Sequence, residues 1–223
     1  PVLPFEGKKE LYITGFERDK QAEPWSMEHP EMDTMVICLE NICCRSFKVG
    51  YRTFSAEGYM FALNKQIVFL RSDTNCAVFP LTGHPPMDIA SWRTIMKKYK
   101  SYGVNHVRFH SHIPPEAAFE AADNEGILIQ AELSHWNPKD AFVSDCAFQY
   151  YKNEAIGVLR DFNRHPSFVM LTFGNELCTD EKGHRKMDEL LALCREEDST
   201  RLFANASNAE YGSHGPDLKS DFY

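Results

Sequence analysis

Two textures divide the chain. Up to about position 62, short runs of β-type residues are separated by turn signals. Positions 10–14, 35–39, 48–54 and 59–63 read as strands, and 22–32, holding Pro24, Trp25 and Pro30, reads as a loop. Strands with no helix between them suggest the closing part of a β-sandwich, and the stretch is too short for a complete one.

After Asn64 the period changes. Compact apolar runs at 67–70, 104–109, 127–131, 168–173 and 201–206 alternate with helically spaced stretches at 91–102, 115–124, 147–164 and 186–195. Asp88 or Ser91 is placed to cap the first helix, and Gly103 to stop it. Pro115 sits early in the second, where a missing N–H costs little, and Gly126 ends it. His165-Pro166 breaks the third. The run 168–173 is continuously apolar, as expected for a strand covered on both faces.

Strands alternating with helices build parallel βα units. An open doubly wound sheet and a closed (β/α)₈ barrel compete. No Gly-rich phosphate loop follows the first strand, which removes the main support for the open sheet. Polar residues gather instead just after several strands, at 71–73, 110–112, 132–136 and 175–176. Barrels place their sites at such strand ends. The length left after Asn64 falls short of the ~250 residues of a full barrel. The expectation is a partial (β/α)₈ TIM barrel of about five βα strands, behind the last strands of a β-sandwich.

Composition narrows the function classes. The 223 residues are 43% hydrophobic and 25% charged, with net charge −8. That balance fits a soluble globular chain and argues against nucleic-acid binding, which needs a basic face. No apolar run approaches the ~18 residues of a membrane span. The chain starts at Pro1 with no basic-then-apolar signal segment, so a cytoplasmic and a periplasmic location both stay open. Seven cysteines without a CxxC pair read as mostly buried free thiols.

Three segments carry candidate chemistry. In Leu171-Thr172-Phe173-Gly174-Asn175-Glu176 an apolar strand ends in a glycine, an amide and a carboxylic acid. A strand-end Glu in a concave site serves as a general acid when its surroundings raise its pKa, and Asn175 can bond a sugar hydroxyl without adding charge. The plain alternative is a solvent-facing Glu that caps a turn. In Arg108-Phe109-His110-Ser111-His112 the alternating residues share a face if the strand runs that far. His110 and His112 are then ligand-binding groups, a metal half-site, or structural histidines. No matching acid or His pair follows on a later strand, so no metal or cofactor is expected. In Glu132-Leu133-Ser134-His135-Trp136, Trp136 offers a face for stacking on a sugar ring, and Glu132 and His135 can bond hydroxyls. Ordinary rim packing of Trp136 is the alternative. Asp73, Asn75 and His84, near the first strand, decide nothing by themselves.

Together, several segments resemble glycoside hydrolase family 2. Val49-Gly50-Tyr51-Arg52-Thr53-Phe54 is similar to the family's (F/M)GxR-x-(F/I) strand, and Leu63-Asn64-Lys65-Gln66-Ile67-Val68-Phe69-Leu70-Arg71 to its LNGKPVFLRG. Gly103-Val104-Asn105-His106-Val107-Arg108 resembles GxNAVR, and Asp123-Asn124-Glu125-Gly126-Ile127-Leu128-Ile129 with Glu132 resembles CDExGILVxxE. The stretch from Arg160 through His165-Pro166-Ser167 to Gly174-Asn175-Glu176 resembles RDRNHPSVIxWSxGNE. The departures are the histidines at 110 and 112, the extra Arg164, Leu171 in place of Trp, and Ser72 after Arg71.

The resemblance implies an immunoglobulin-like β-sandwich over residues 1–62 and the N-terminal part of a TIM barrel over 63–223. It implies a retaining, exo-acting β-glycosidase of the β-galactosidase/β-glucuronidase type, with Glu176 as acid/base and the nucleophile on a seventh strand beyond this chain. Asn175, Arg108, His110, Glu132, His135 and Trp136 would line the pocket. The partner is a carbohydrate, not nucleic acid or membrane, and a homo-oligomer is compatible. The rivals are a carbohydrate-binding remnant without catalysis and a metal-dependent barrel hydrolase using His110 and His112.

Overall fold

The computed structural model describes residues 23–39, 43–207 and 218–222. The strand expected at 10–14 lies outside them. Strands β1 (Asp33–Leu39) and β2 (Cys43–Val49) form an antiparallel pair. A second antiparallel sheet joins β3 (Phe54–Glu57), β4 (Met60–Leu63) and β5 (Gln66–Val68) in sequential order. Asn64 and Lys65, at φ 51° and 67°, make the two-residue turn between β4 and β5. Such turns match the twist of the strands they join.

The remainder alternates strand and helix: β6 (Ser72–Asn75), α1 (Ile89–Ser101), β7 (His106–Phe109), α2 (Glu116–Glu125), β8 (Leu128–Glu132), α3 (Asp145–Phe162), β9 (Phe168–Thr172), α4 (Glu181–Glu197) and β10 (Leu202–Ala204). The strands form one parallel sheet in the order β6-β7-β8-β9-β10, without the reversal that defines a doubly wound sheet. One core cluster unites Trp92 and Met96 of α1, Phe119 of α2, Leu159 of α3 and Leu190 of α4 with Val107, Ile129, Leu171 and Phe203 of the strands. The helices therefore cover one face, and the other is left for a cavity.

Local chemistry sets the helix ends. Asp88, not Ser91, caps α1 by accepting from the Ser91 N–H at 2.8 Å. Ser144 and Asp180 cap α3 and α4 in the same way. At the end of α2, Gly126 has φ 71°, and a Cβ there would lie 2.3 Å from the Met27 carbonyl oxygen. That position requires glycine both for its backbone angle and for the close approach.

The antiparallel sheet lies against the N-terminal ends of the parallel strands. Buried Arg52 donates to the carbonyls of Pro166 (3.1 Å), Phe168 (2.8 Å) and Thr200. Trp25, 1% exposed, donates its indole N–H to the Asp123 carbonyl at 2.8 Å. The Asp123 carboxylate holds the His165 ring at 2.5 Å and the Ser167 N–H at 3.0 Å. Phe54 and Leu63 join Leu128, Val169 and Met170 in a second cluster.

Three expectations are corrected. The run at 67–70 is not the first parallel strand. Residues 66–68 pair backwards with β4, and the first parallel strand is polar, edge-lying β6. An edge strand with three exposed residues carries no apolar pattern to find. The run at 48–54 is two strand ends separated by residues 50–53 rather than one strand. The cysteines are not mostly buried thiols. Cys38 and Cys44, opposite one another on β1 and β2, form a disulfide, Cys76 and Cys146 are exposed, and only Cys194 is buried among the free cysteines described.

Candidate functional site

Strand alternation sends Arg108, Gln130, Glu132 and Thr172 to the helix-free face. Glu132 is fully buried. One carboxylate oxygen accepts from Arg108 Nε (3.1 Å), Arg108 Nη2 (2.8 Å) and Thr172 Oγ1 (3.0 Å), and the other from the Ser111 N–H (2.7 Å) and Oγ (3.2 Å). A buried carboxylate is stable when paired and bonded this fully. Arg108 Nη2 also donates to the Asn175 side-chain oxygen at 2.7 Å. The chain Glu132–Arg108–Asn175 thus orients the Asn175 amide.

The residues after β9 continue the sheet as irregular backbone. Asn175 bridges to Trp136 on one side and to Ser207 on the other. The Glu176 N–H donates to the Ser207 carbonyl at 2.8 Å. Gly174 has φ 150°, and a Cβ on it would meet the His135 carbonyl oxygen at 2.2 Å. Glu176 has φ 49°, a left-handed angle uncommon outside glycine. Such backbone holds the carboxyl away from the ordinary strand direction, and it is half-buried.

A cavity of about 580 Å³ opens on this face, lined by Arg108, Gln130, Asn175, Glu176 and Ser207, and deeper by His106 and Met170. Two other cavities, lined by residues around the antiparallel sheet, do not include these groups. Glu176 is the only unpaired carboxylate among the described residues that line the cavity.

The structure brings Arg108, Glu132, Asn175 and Glu176 together. Glu132 stands behind Arg108 instead of lining the cavity. His110 and Trp136 meet edge to face at 5.5 Å, and Trp136 is 66% exposed at the rim. His135 packs elsewhere. Its ring stacks on Tyr151 of α3 at 4.3 Å and meets Phe142 edge-on, and burial pushes its pKa down to about 4 against a smaller opposing pull from Asp140. It belongs with the helix layer. Strand β7 stops at Phe109, and Ser111 turns with φ 55°, so His110 and His112 do not share the face with Arg108. His112 Nδ1 sits 3.0 Å from the His110 carbonyl, and its ring meets Phe109. Among the described residues no cluster of three or more His, Cys, Asp or Glu side chains is set to hold a metal. The sequence reading missed Gln130, Ser207 and His106. The period-two rule applied to Arg108 also selects His106, and counted back from Glu132 it selects Gln130.

Known proteins are similar to the chain in sequence and in fold. A β-galactosidase of Priestia megaterium is 23% identical over 212 residues, covering 82% of this chain and 19% of its own. A Parabacteroides merdae β-glucuronidase structure superposes with a TM-score of 0.72 at 20% identity, over 83% of this chain and 24% of that one. A family 2 β-galacturonidase from Eisenbergiella tayi, bound to galacturonate, gives 0.73 at 21% identity, over 83% and 34%. No family model matches the chain. The chain spans about a fifth of the length of the curated relatives it matches.

The mixed α/β fold, with its five-stranded parallel sheet, matches that of the β-glucuronidase structure. In sequence the chain is similar to a β-galactosidase, and in fold to a structure of glycoside hydrolase family 2.

Proposed function

We propose that this chain is the acid/base-bearing part of a retaining, exo-acting β-glycosidase of the β-galactosidase/β-glucuronidase type. In this reading β6 to β10 are the first five strands of a (β/α)₈ TIM barrel within residues 63–223. Residues 1–62 are then the C-terminal part of an immunoglobulin-like sandwich. The substrate is a glycoside or oligosaccharide. The observation that carries the reading is Glu176, a free carboxyl at a strand's C-terminal end, facing a cavity beside an amide held by a buried ion pair.

Retaining hydrolysis uses two carboxylates about 5–5.5 Å apart. Glu176 protonates the leaving oxygen, then takes a proton from the attacking water. The second carboxylate attacks the anomeric carbon. Glu132 is unsuited to that part, because both its oxygens are engaged. Arg108 occupies the Asn175 oxygen, which leaves the amide N–H groups to donate to a sugar hydroxyl, in keeping with the family's contact to the 2-hydroxyl. His110 and Trp136 supply a flat apolar edge at the rim.

Glu176→Gln in the full-length enzyme tests this. Loss of a general acid costs about 10²–10⁴ in rate where the leaving group is poor, and little where it is already acidic. The expected result is a steep dependence of kcat/KM on leaving-group pKa. An equal loss across the series overturns the role.

A further inference from the structure

Trp136 is a large apolar side chain that the proton transfer does not use. The backbone fixes where it points. Trp136 pairs with Asn175, and two hydrogen bonds bracket the pair: the Asn175 N–H donates to the His135 carbonyl and the Asn137 N–H to the Asn175 carbonyl, both at 2.9 Å. Residues paired in parallel register send their side chains to the same side, so Trp136 points with Asn175. The residue before it, His135, stacks on Tyr151 in the helix layer, and alternation turns Trp136 the opposite way.

The indole is held but not covered. Trp136 is 66% exposed, whereas Trp25 and Trp92 are 1% and 0% exposed. Tryptophan is highly buried on average, and ordinary rim packing would hide more of the ring. The His110 ring meets it edge to face at 5.5 Å and steadies it. A ring fixed in this way has little freedom left to lose when a second ring lies on it.

Its place relative to Glu176 says which part of a substrate arrives there. Neighbouring strands lie ~4.8 Å apart and successive Cα atoms ~3.8 Å, so the Trp136 and Glu176 backbones lie within ~9 Å. Glu176 lines the cavity, and Trp136 stands on its solvent side. An exo-acting enzyme seats one terminal sugar in its cavity. The rest of the substrate then emerges past the group that protonates the linking oxygen.

We infer that Trp136 is the platform of a leaving-group subsite. A leaving group with a flat apolar face, an aryl ring or a second sugar, stacks on the indole while Glu176 protonates the oxygen that joins it to the sugar in the cavity. The inference rests on Glu176 as acid/base and deepens that reading by naming a substrate class: glycosides whose leaving part is a ring.

The test uses the full-length enzyme and its Trp136→Ala and Trp136→Phe variants. The substrates are β-galactosides and β-glucuronides with methanol, 4-nitrophenol or glucose as the leaving part. Each substrate is read as the ratio of variant to parent kcat/KM, which removes differences in intrinsic reactivity. Trp136→Ala should lose about tenfold on at least one ring substrate and much less on the methyl glycoside, and Trp136→Phe should keep most of the rate. A loss confined to 4-nitrophenol identifies an aryl leaving group, and a loss with glucose identifies a sugar. An equal loss on the methyl glycoside overturns the inference, since the indole then acts on the fold or on the sugar in the cavity. Undiminished rates on both ring substrates overturn it while Glu176 stands. A parent enzyme that cleaves none of the six sinks the glycosidase reading itself.

Discussion

Arg108 owes its position to a residue that does not line the cavity. Its guanidinium lies between the fully buried Glu132 and the half-open cavity, and three donors besides Arg108 hold Glu132 in place. The same burial that makes such a pair rigid makes neighbouring histidines sensitive to acid. His106 and His135 are both pushed down to about 4 by burial. Their unfolded rings titrate near 6.5. Between those values the unfolded chain binds protons that the folded one refuses, so stability falls as pH drops from 6.5 towards 4 and levels off below. For His106 the full effect is about 3 kcal/mol by the conversion of pKa difference to free energy. His135 is more accessible and contributes less. Urea midpoints across that range should fall steeply in the parent. His106→Gln should flatten the slope, and an unchanged slope would show that His106 is charged in the folded chain.

Glycines test the element scale in opposite directions. Gly126→Ala forces a left-handed Cβ into the Met27 carbonyl, joining backbone strain to a contact that neither neighbour can relieve. A loss above about 2 kcal/mol is expected. Gly157, inside α3, has open space around its missing Cβ, and Gly157→Ala should gain about 0.5–1 kcal/mol. Thermal or urea unfolding of the two variants measures both. Elements with strong periodicity or stop signals, such as α1, α2, β8 and β9, are readable from the sequence because burial on one or both faces dictates residue type. Strand β6 is not, since Ser72, Asp73 and Thr74 are exposed and parallel pairing to β7 alone defines it. The start of α4 is hidden for a similar reason. Its first turn, Glu181-Lys182-Gly183-His184, shows no apolar period, and the Asp180 cap sets it. At the site, alternation along β7 and β8 reveals which residues face inward. It is silent on His135, whose place depends on Phe142, in the loop that follows, and on Tyr151 of α3.

At the scale of the whole molecule, the helix layer and the inner face have different fates. The helices bury one face of the parallel sheet completely enough that its core clusters into one body. The inner face holds an open cavity. Around the antiparallel sheet, apolar side chains stand in solvent, among them Ile67 and Phe69, at 54% and 79% exposure, which line a separate cavity. Ser220 and Asp221 bond the backbone of Asn205 and Phe203 along the outer side of β10, while no further strand pairs with β6 among the described residues. The polar sequence of β6 blunts strand-to-strand pairing, so apolar contact is the stronger drive to association. In the 223-residue chain studied alone, sedimentation at micromolar concentration should show concentration-dependent self-association, reduced by Phe69→Ser. The open inner face bears on chemistry. Hydrolysis with two carboxylates needs a second free acid across from Glu176, and Glu132 is tied to Arg108. The chain alone should therefore bind sugar and not turn it over. Turnover approaching the ~10 s⁻¹ typical of enzymes would mean that a second acid acts within these residues, and the assignment of Glu132 as a positioning residue would be the first to fall.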